Sequence, residues 1–277
     1  MTFATHYSGA SRRANTAKWL NAATWLLVAV ALAGFCVVAH SGDMVTATNA
    51  TAAHAENEFQ TWQQSHEANP TNTEAAWQFA RACFDRAEFA TNDTQRARLA
   101  QLGIKASRAV IMQNSNCLQG HYYLGMNLGQ LARTKTLGAL PIVDEMEIEF
   151  KAARVLDEKF DFAGPIRNLG LLYLEAPSIG SIGSRSKART HLQRAAELAP
   201  EFPENQLNLA EALIRWRDLE NARRQLEALE AGLAAARGQF SGEAWAAAWT
   251  DWERRLKKLR DQLPSSTKRA TSPKGFQ

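Results

Sequence analysis

Three cysteines in 277 residues, Cys36, Cys83 and Cys117, are too few for a disulfide framework. With only 16 glycines and 8 prolines the chain is neither collagen-like nor of low complexity. No stretch alternates apolar and polar residues over strand length, which excludes an all-β domain. The six histidines (6, 40, 54, 66, 121 and 191) show no ligand spacing, so no metal and no cofactor is expected. The formal charge of +4 invites a nucleic-acid partner, but the excess sits at the ends. Residues 1–40 carry Arg12, Arg13 and Lys18 with no acid, and residues 257–277 carry six bases against Asp261, leaving 23 bases and 27 acids between. A mildly acidic body lacks the basic face that phosphate neutralisation needs, so no nucleic-acid partner is expected. At 45% hydrophobic and 22% charged residues the chain is globular, long enough for one large domain or two small ones.

What is present begins with an apolar segment. Residues 19–39, WLNAATWLLVAVALAGFCVVA, follow the basic flank of residues 1–18. Their apolar centre suits either a cleaved secretory signal or a retained single-pass anchor, since both share a positive flank and an apolar core. In either case everything after residue 40 is expected outside the cytoplasm, in the periplasm or at the cell exterior, with membrane contact through residues 19–39 if they are uncleaved. Phe35 before Cys36 argues against a lipid-anchored cysteine. An oxidising compartment would permit Cys83 and Cys117 to pair, and two buried thiols on helices is the alternative.

Residues 40–55 are small, polar and aperiodic and read as a linker. Beyond them the periodicity is helical throughout, with Pro and Gly between the periodic stretches, so the chain is expected to be all-α. Ala188, Leu192 and Ala195 recur 34 residues later as Ala222, Leu226 and Leu229, and the set resembles the second helix of the tetratricopeptide hairpin. Leu102, Ala106, Ala109 and Met146, Phe150, Ala153 repeat its spacing of four and three. First-helix pairs precede each set: Phe79-Ala80, Leu124-Gly125, Leu169-Gly170 and Leu209-Ala210. Two helices approach closely only where one side is Gly or Ala, and a large residue opposite fills the groove. The resemblance implies a solenoid of about four hairpins over residues 56–239. Relative to an uninterrupted repeat, the links inside the first three hairpins are longer by about ten, nine and six residues, and solenoid insertions emerge on one face, often the binding face. Trp245, Trp249, Trp252, Leu256, Leu259 and Leu263 form one apolar stripe, so residues 240–263 are expected to be a capping helix with Ser241 as N-cap, followed by a disordered basic tail at 264–277.

No catalytic constellation emerges, so the chain is not expected to be an enzyme. Ser184-Arg-Ser-Lys187 matches a Ser-x-x-Lys motif, but its companion motifs are absent. Ser181, Gly183 and Ser184 form a candidate loop: a helix N-terminus after Ser184 or Ser186 could hold an anion weakly, and its commoner use would be to start the next helix. In tetratricopeptide domains the first helix of each hairpin lines the concave surface. That resemblance implies a concave lining of Trp77, Arg81, Phe84, Tyr122, Met126, Arg167, Leu171, Leu174, Leu207, Glu211 and Ile214. A lining this apolar, with Arg81 and Arg167, suits a hydrophobic peptide or a small amphipathic ligand, and packing inside a tight superhelix is the alternative.

A further combination is more specific: His121-Tyr-Tyr-Leu-Gly125, Phe162-x-Gly164-x-x-Arg167-x-Leu-Gly170-x-x-Tyr173, Ser181-Ile-Gly-Ser184, and Leu198-Ala-Pro200-x-x-Pro203-x-Asn205. It resembles the TatT-like family of periplasmic helical proteins linked to tripartite ATP-independent periplasmic (TRAP) transporters. The resemblance implies a periplasmic solute-binding protein as partner and a hydrophobic ligand. The expected role is thus an exported or membrane-tethered scaffold for a protein partner, or an accessory of a solute transporter.

Overall fold

The computed structural model describes residues 41–135 and 137–263. The apolar segment at 19–39 and the tail at 264–277 lie outside them. Among the described residues the chain forms ten helices and no strand: α1 (Ser41–Ala68), α2 (Thr73–Ala87), α3 (Asp93–Gln113), α4 (Leu118–Ala132), α5 (Leu140–Leu156), α6 (Phe160–Glu175), α7 (Arg185–Leu198), α8 (Pro203–Arg215), α9 (Leu219–Gln239) and α10 (Glu243–Gln262). None of them is long and apolar enough to cross a membrane.

Helices α2 to α9 are the expected hairpins, α2/α3, α4/α5, α6/α7 and α8/α9, each packed on the next to make a tetratricopeptide-like solenoid. Local chemistry starts them. Asn72 and Asn92 accept hydrogen bonds from the Ala75 and Gln95 amides at 3.0 and 2.9 Å, satisfying donors that the first turn leaves over. Pro141 and Pro203 stand in first turns, where no amide is needed. Within hairpins the small residue of one helix admits the large residue of the other. A Cβ on Gly125 would lie 2.7 Å from the Phe150 ring, and one on Gly170 would lie 2.8 Å from Leu192. Phe150 and Leu192 are 1% exposed, so neither position has room for a methyl group.

The structure departs from the sequence expectations in four places. Residues 41–55 are the first half of α1 and not an aperiodic linker. The stretch has no apolar stripe of its own; it is continuous with the rest of α1, which packs on α2 and reaches α10. Phe59 meets Phe79 at 5.6 Å, and Arg86 pairs with Glu56. In α3 the buried residues include Gly103, Ser107 and Val110, one residue on from the expected Leu102, Ala106 and Ala109, of which Ala106 is buried and the other two are half-buried or exposed. Asn127 of α4 packs on this face, its side chain occupying the space a Cβ at residue 103 would need. The inserted residues of the first hairpin extend α3 at its start, so only 88–92 separate α2 from α3; true loops occur at 133–135, 137–139 and 176–184. Finally, Gly242 at φ +88°, not Ser241, stands at the N-cap of α10, a backbone angle that a serine rarely adopts.

Candidate functional site

The first helices α2, α4, α6 and α8 face the interior of the superhelix, and the residues expected to line it divide into two groups. Phe84, Tyr122, Met126, Arg167 and Leu207 are buried, packed away as a tight superhelix requires. Trp77, Arg81, Leu171, Leu174, Glu211 and Ile214 are half-buried and keep part of their surface. Trp77 stacks on Tyr123 at 6.0 Å, while Leu171, Leu174 and Ile214 lean on the core of the C-terminal half. The region open to a ligand is therefore narrower than the full set of eleven positions.

The buried group is gathered around an unusual turn. Asp161, Phe162 and Ala163 all adopt left-handed backbone angles, φ 51°, 53° and 60°, immediately before the right-handed part of α6 begins at Gly164-Pro165. Each such residue costs about 1–2 kcal/mol relative to a right-handed one, so the turn persists only because its surroundings over-determine it. Arg167, 3% exposed, donates from Nη1 to the carbonyls of Asp161 and Phe162 at 3.2 and 3.0 Å. Its Nη2 reaches Asp161 Oδ2 at 3.3 Å. Asn205 Nδ2 donates to the Phe162 carbonyl at 3.0 Å and to those of Ala195 and Ala199 at 3.1 and 3.2 Å. The Tyr122 hydroxyl donates to Asp161 Oδ2 at 2.6 Å and accepts from Asn168 Nδ2 at 3.3 Å. Burial pushes the Tyr122 phenol well above its ordinary pKa, and the Asp161 carboxylate pushes it the same way, so it stays protonated and donating. Phe162 stacks on Phe202 at 4.6 Å, tying the turn to the fourth hairpin.

That stack leads into α10. Phe202 and Phe240 pack against Trp245 and Trp252, and Trp249 meets Trp252 at 5.0 Å. Trp252 Nε1 donates to Glu204 Oε2 at 2.9 Å. Arg255, 4% exposed, reaches Glu204, Asn208 and Glu211 at 2.8, 2.6 and 2.8 Å. Burial raises the Glu204 carboxyl, but the Arg255 guanidinium outweighs it and holds Glu204 below the usual carboxylate range. Glu211, expected on the open concave face, is thus engaged by α10. Burying three tryptophans contributes on the order of 2–3 kcal/mol each, which makes α10 a fixed wall of the interior.

The candidate loop behaves as a connector. The Ser184 amide donates to the Tyr173 carbonyl at 2.9 Å, and Ser184 Oγ accepts from the Lys187 amide at 3.3 Å, capping α7. A Cβ at Gly183 would lie 2.0 Å from the Ala176 carbonyl oxygen, so no other residue fits there. The Ser181 hydroxyl is buried without a hydrogen-bond partner. Both Cys83 and Cys117 are buried free thiols, and burial pushes the Cys83 pKa up, which makes it a poor nucleophile.

Sequence reasoning placed Arg167 and Tyr122 at the interior but missed the turn they hold, together with Asn168, Glu204 and Arg255. Phe162, Gly164, Arg167 and Asn205 stood in the residue combination singled out above, and their spacing was the available signal.

Comparison with known proteins fits this architecture. Residues 44–138, from α1 into the link after α4, match the family described as Regulator of microtubule dynamics protein 1-3. The match spans about a third of the chain. No curated protein matches the sequence. The crystal structure of TTC0263, a thermophilic TPR protein of Thermus thermophilus, superposes with a TM-score of 0.55 at 18% identity, covering 78% of this chain and 96% of that one. At that identity the likeness is one of fold, and the fold is that of a tetratricopeptide-like helical repeat.

Proposed function

We propose that the chain is a non-enzymatic scaffold, exported or membrane-tethered through residues 19–39, that holds a protein partner against the open part of its concave face. The observation that supports this most directly is the division of the lining. Trp77, Arg81, Leu171, Leu174 and Ile214 keep exposed surface beside a wall that α10 and the left-handed turn make rigid. A rigid surface with a few aromatic, aliphatic and arginine anchors loses little entropy on binding, which is the condition for a scaffold. The partial match to Regulator of microtubule dynamics proteins supports an interaction role for the N-terminal half.

A second reading rests on Leu171, Leu174 and Ile214: an apolar inner surface also suits a small hydrophobic ligand, as in a TatT-like accessory that engages a periplasmic solute-binding protein of a TRAP-type transporter. One experiment separates the two. Tagged full-length wild type and the Leu171→Gln/Leu174→Gln variant are cross-linked in intact cells, purified, and analysed by mass spectrometry with native spectra for retained small molecules. A stoichiometric protein lost from the variant supports the scaffold, and a retained small molecule lost from the variant supports ligand handling. Identical recovery from both proteins refutes the concave face as the site.

A further inference from the structure

A second surface lies on the outer side of the first two hairpins, away from the concave face. Helices α3 and α5 both pack on α4, and between them runs an open groove of about 620 Å³. Its floor is apolar, with Ile104, Leu128, Leu131 and Ile142. One lip is a single stripe of α3, with Gln101, Lys105, Arg108 and Met112 at spacings of four, three and four, and Arg98 continues it one turn earlier. The opposite lip carries Glu145, which pairs with Arg108 at 2.7 Å across the opening. Met112 is 87% exposed. Along α5, Ile148 and Val155 stand 62% and 78% exposed on a stripe neighbouring that of Glu145, beside the cavity.

We infer that this groove docks an amphipathic helix of a partner protein, one whose apolar stripe enters between α3 and α5 and whose edge beside α3 is acidic. Length and charge carry the assignment. An apolar floor enclosed by the ridges of two helices is longer than a small molecule needs, and ridges at helical spacing accept another helix. The α3 lip presents Arg98 and Lys105 with no carboxylate partner for Lys105 among the described residues, whereas the α5 lip already supplies Glu145 to Arg108. A partner edge rich in Asp or Glu satisfies Lys105 and competes for Arg108; a basic edge faces like charge on three side chains. The surface is independent of the concave face, so either can fail alone.

Two fluorescent peptides of about four helical turns test it, identical in their leucine stripe but with Glu or Lys along one edge. Binding to the full-length chain in detergent micelles is followed by anisotropy. The Glu-edged peptide should bind saturably and the Lys-edged one more weakly. Lys105→Glu should weaken the first by about three- to tenfold and strengthen the second, as a charge exchange at a rim does. Met112→Glu, at an exposed position that leaves folding intact, should weaken the Glu-edged peptide, and Ala109→Trp should block both peptides by filling the groove. Equal binding of the two peptides, no saturable binding of the Glu-edged one, or binding indifferent to all three changes overturns the proposal. Self-association lost in Ala109→Trp, read by light scattering, would give the groove to a second copy of this chain and equally overturn it.

Discussion

Arg255→Met keeps most of the side-chain volume of Arg255 and removes its charge, which isolates the electrostatic part of its role in fixing α10. Wild-type Arg255 engages two carboxylates of α8, and their environments differ: the Glu211 side chain is 35% exposed and can hydrate, whereas that of Glu204 is 1% exposed and cannot. After the change the Trp252 indole still donates to Glu204 at 2.9 Å, but a neutral donor does not replace the guanidinium charge. Stranding one buried carboxylate in this way costs about 3–5 kcal/mol. For a domain of this size that lowers Tm by on the order of 6–20 °C. Tryptophan emission reports the event in part, because three of the eight tryptophans, Trp245, Trp249 and Trp252, sit on α10, and it should shift red before the helical signal is lost. The pH dependence carries the sign. In the wild type the Glu204 pKa is below its unfolded value of 4.5, so its contribution is complete above that value and is lost as pH falls through the folded-state pKa. In Arg255→Met burial is no longer outweighed, the carboxyl titrates higher, and the deficit relative to wild type shrinks on acidification. Adding Glu204→Gln should recover most of the loss at neutral pH. A Tm change under about 2 °C for Arg255→Met, or a deficit that does not depend on pH, would refute the assignment of Arg255 and Glu204 as a coupled buried pair.

Further outcomes follow from the same structure. Asn205→Ala removes the donor to the Phe162 carbonyl of the left-handed turn and to two carbonyls at the end of α7, and should destabilise the chain by about 1–3 kcal/mol, read by denaturant midpoint. Gly183→Ala places a methyl group on the Ala176 carbonyl and should cost about 1–3 kcal/mol, with proteolysis at 176–184 as the local readout. Arg217, exposed at φ +63° just past α8, should be improved by Arg217→Gly by roughly 1 kcal/mol, measured as a rise in denaturant midpoint. Cys83 and Cys117 should react with an aromatic disulfide reagent only at the rate of unfolding; prompt reaction of both in native protein would contradict their burial.

What the sequence by itself determined is the architecture, because helical hairpins are written in short-range terms. The pairs Leu124-Gly125 and Leu169-Gly170, the sets Met146, Phe150, Ala153 and Ala188, Leu192, Ala195, and the tryptophan stripe of α10 each encode one packed face at a spacing that can be counted along the chain. The caps at Asn72, Asn92 and Ser184 are equally local, a side chain closing the turn that follows it. Only the tertiary structure decided what depends on partners far along the chain. Residues 41–55 belong to a helix, α1, that packs on α2 and α10, and Asn127 of α4 fills the space beside Gly103 of α3. The same holds at the site. Arg167 and Tyr122 were legible as interior positions, but the left-handed turn they hold needs Asn205 and Phe202 from the fourth hairpin, and Glu211 loses its open face to Arg255, 44 residues away. A residue's face follows from its own neighbours in sequence, whereas the occupant of that face is set by chain closure, which no local period records.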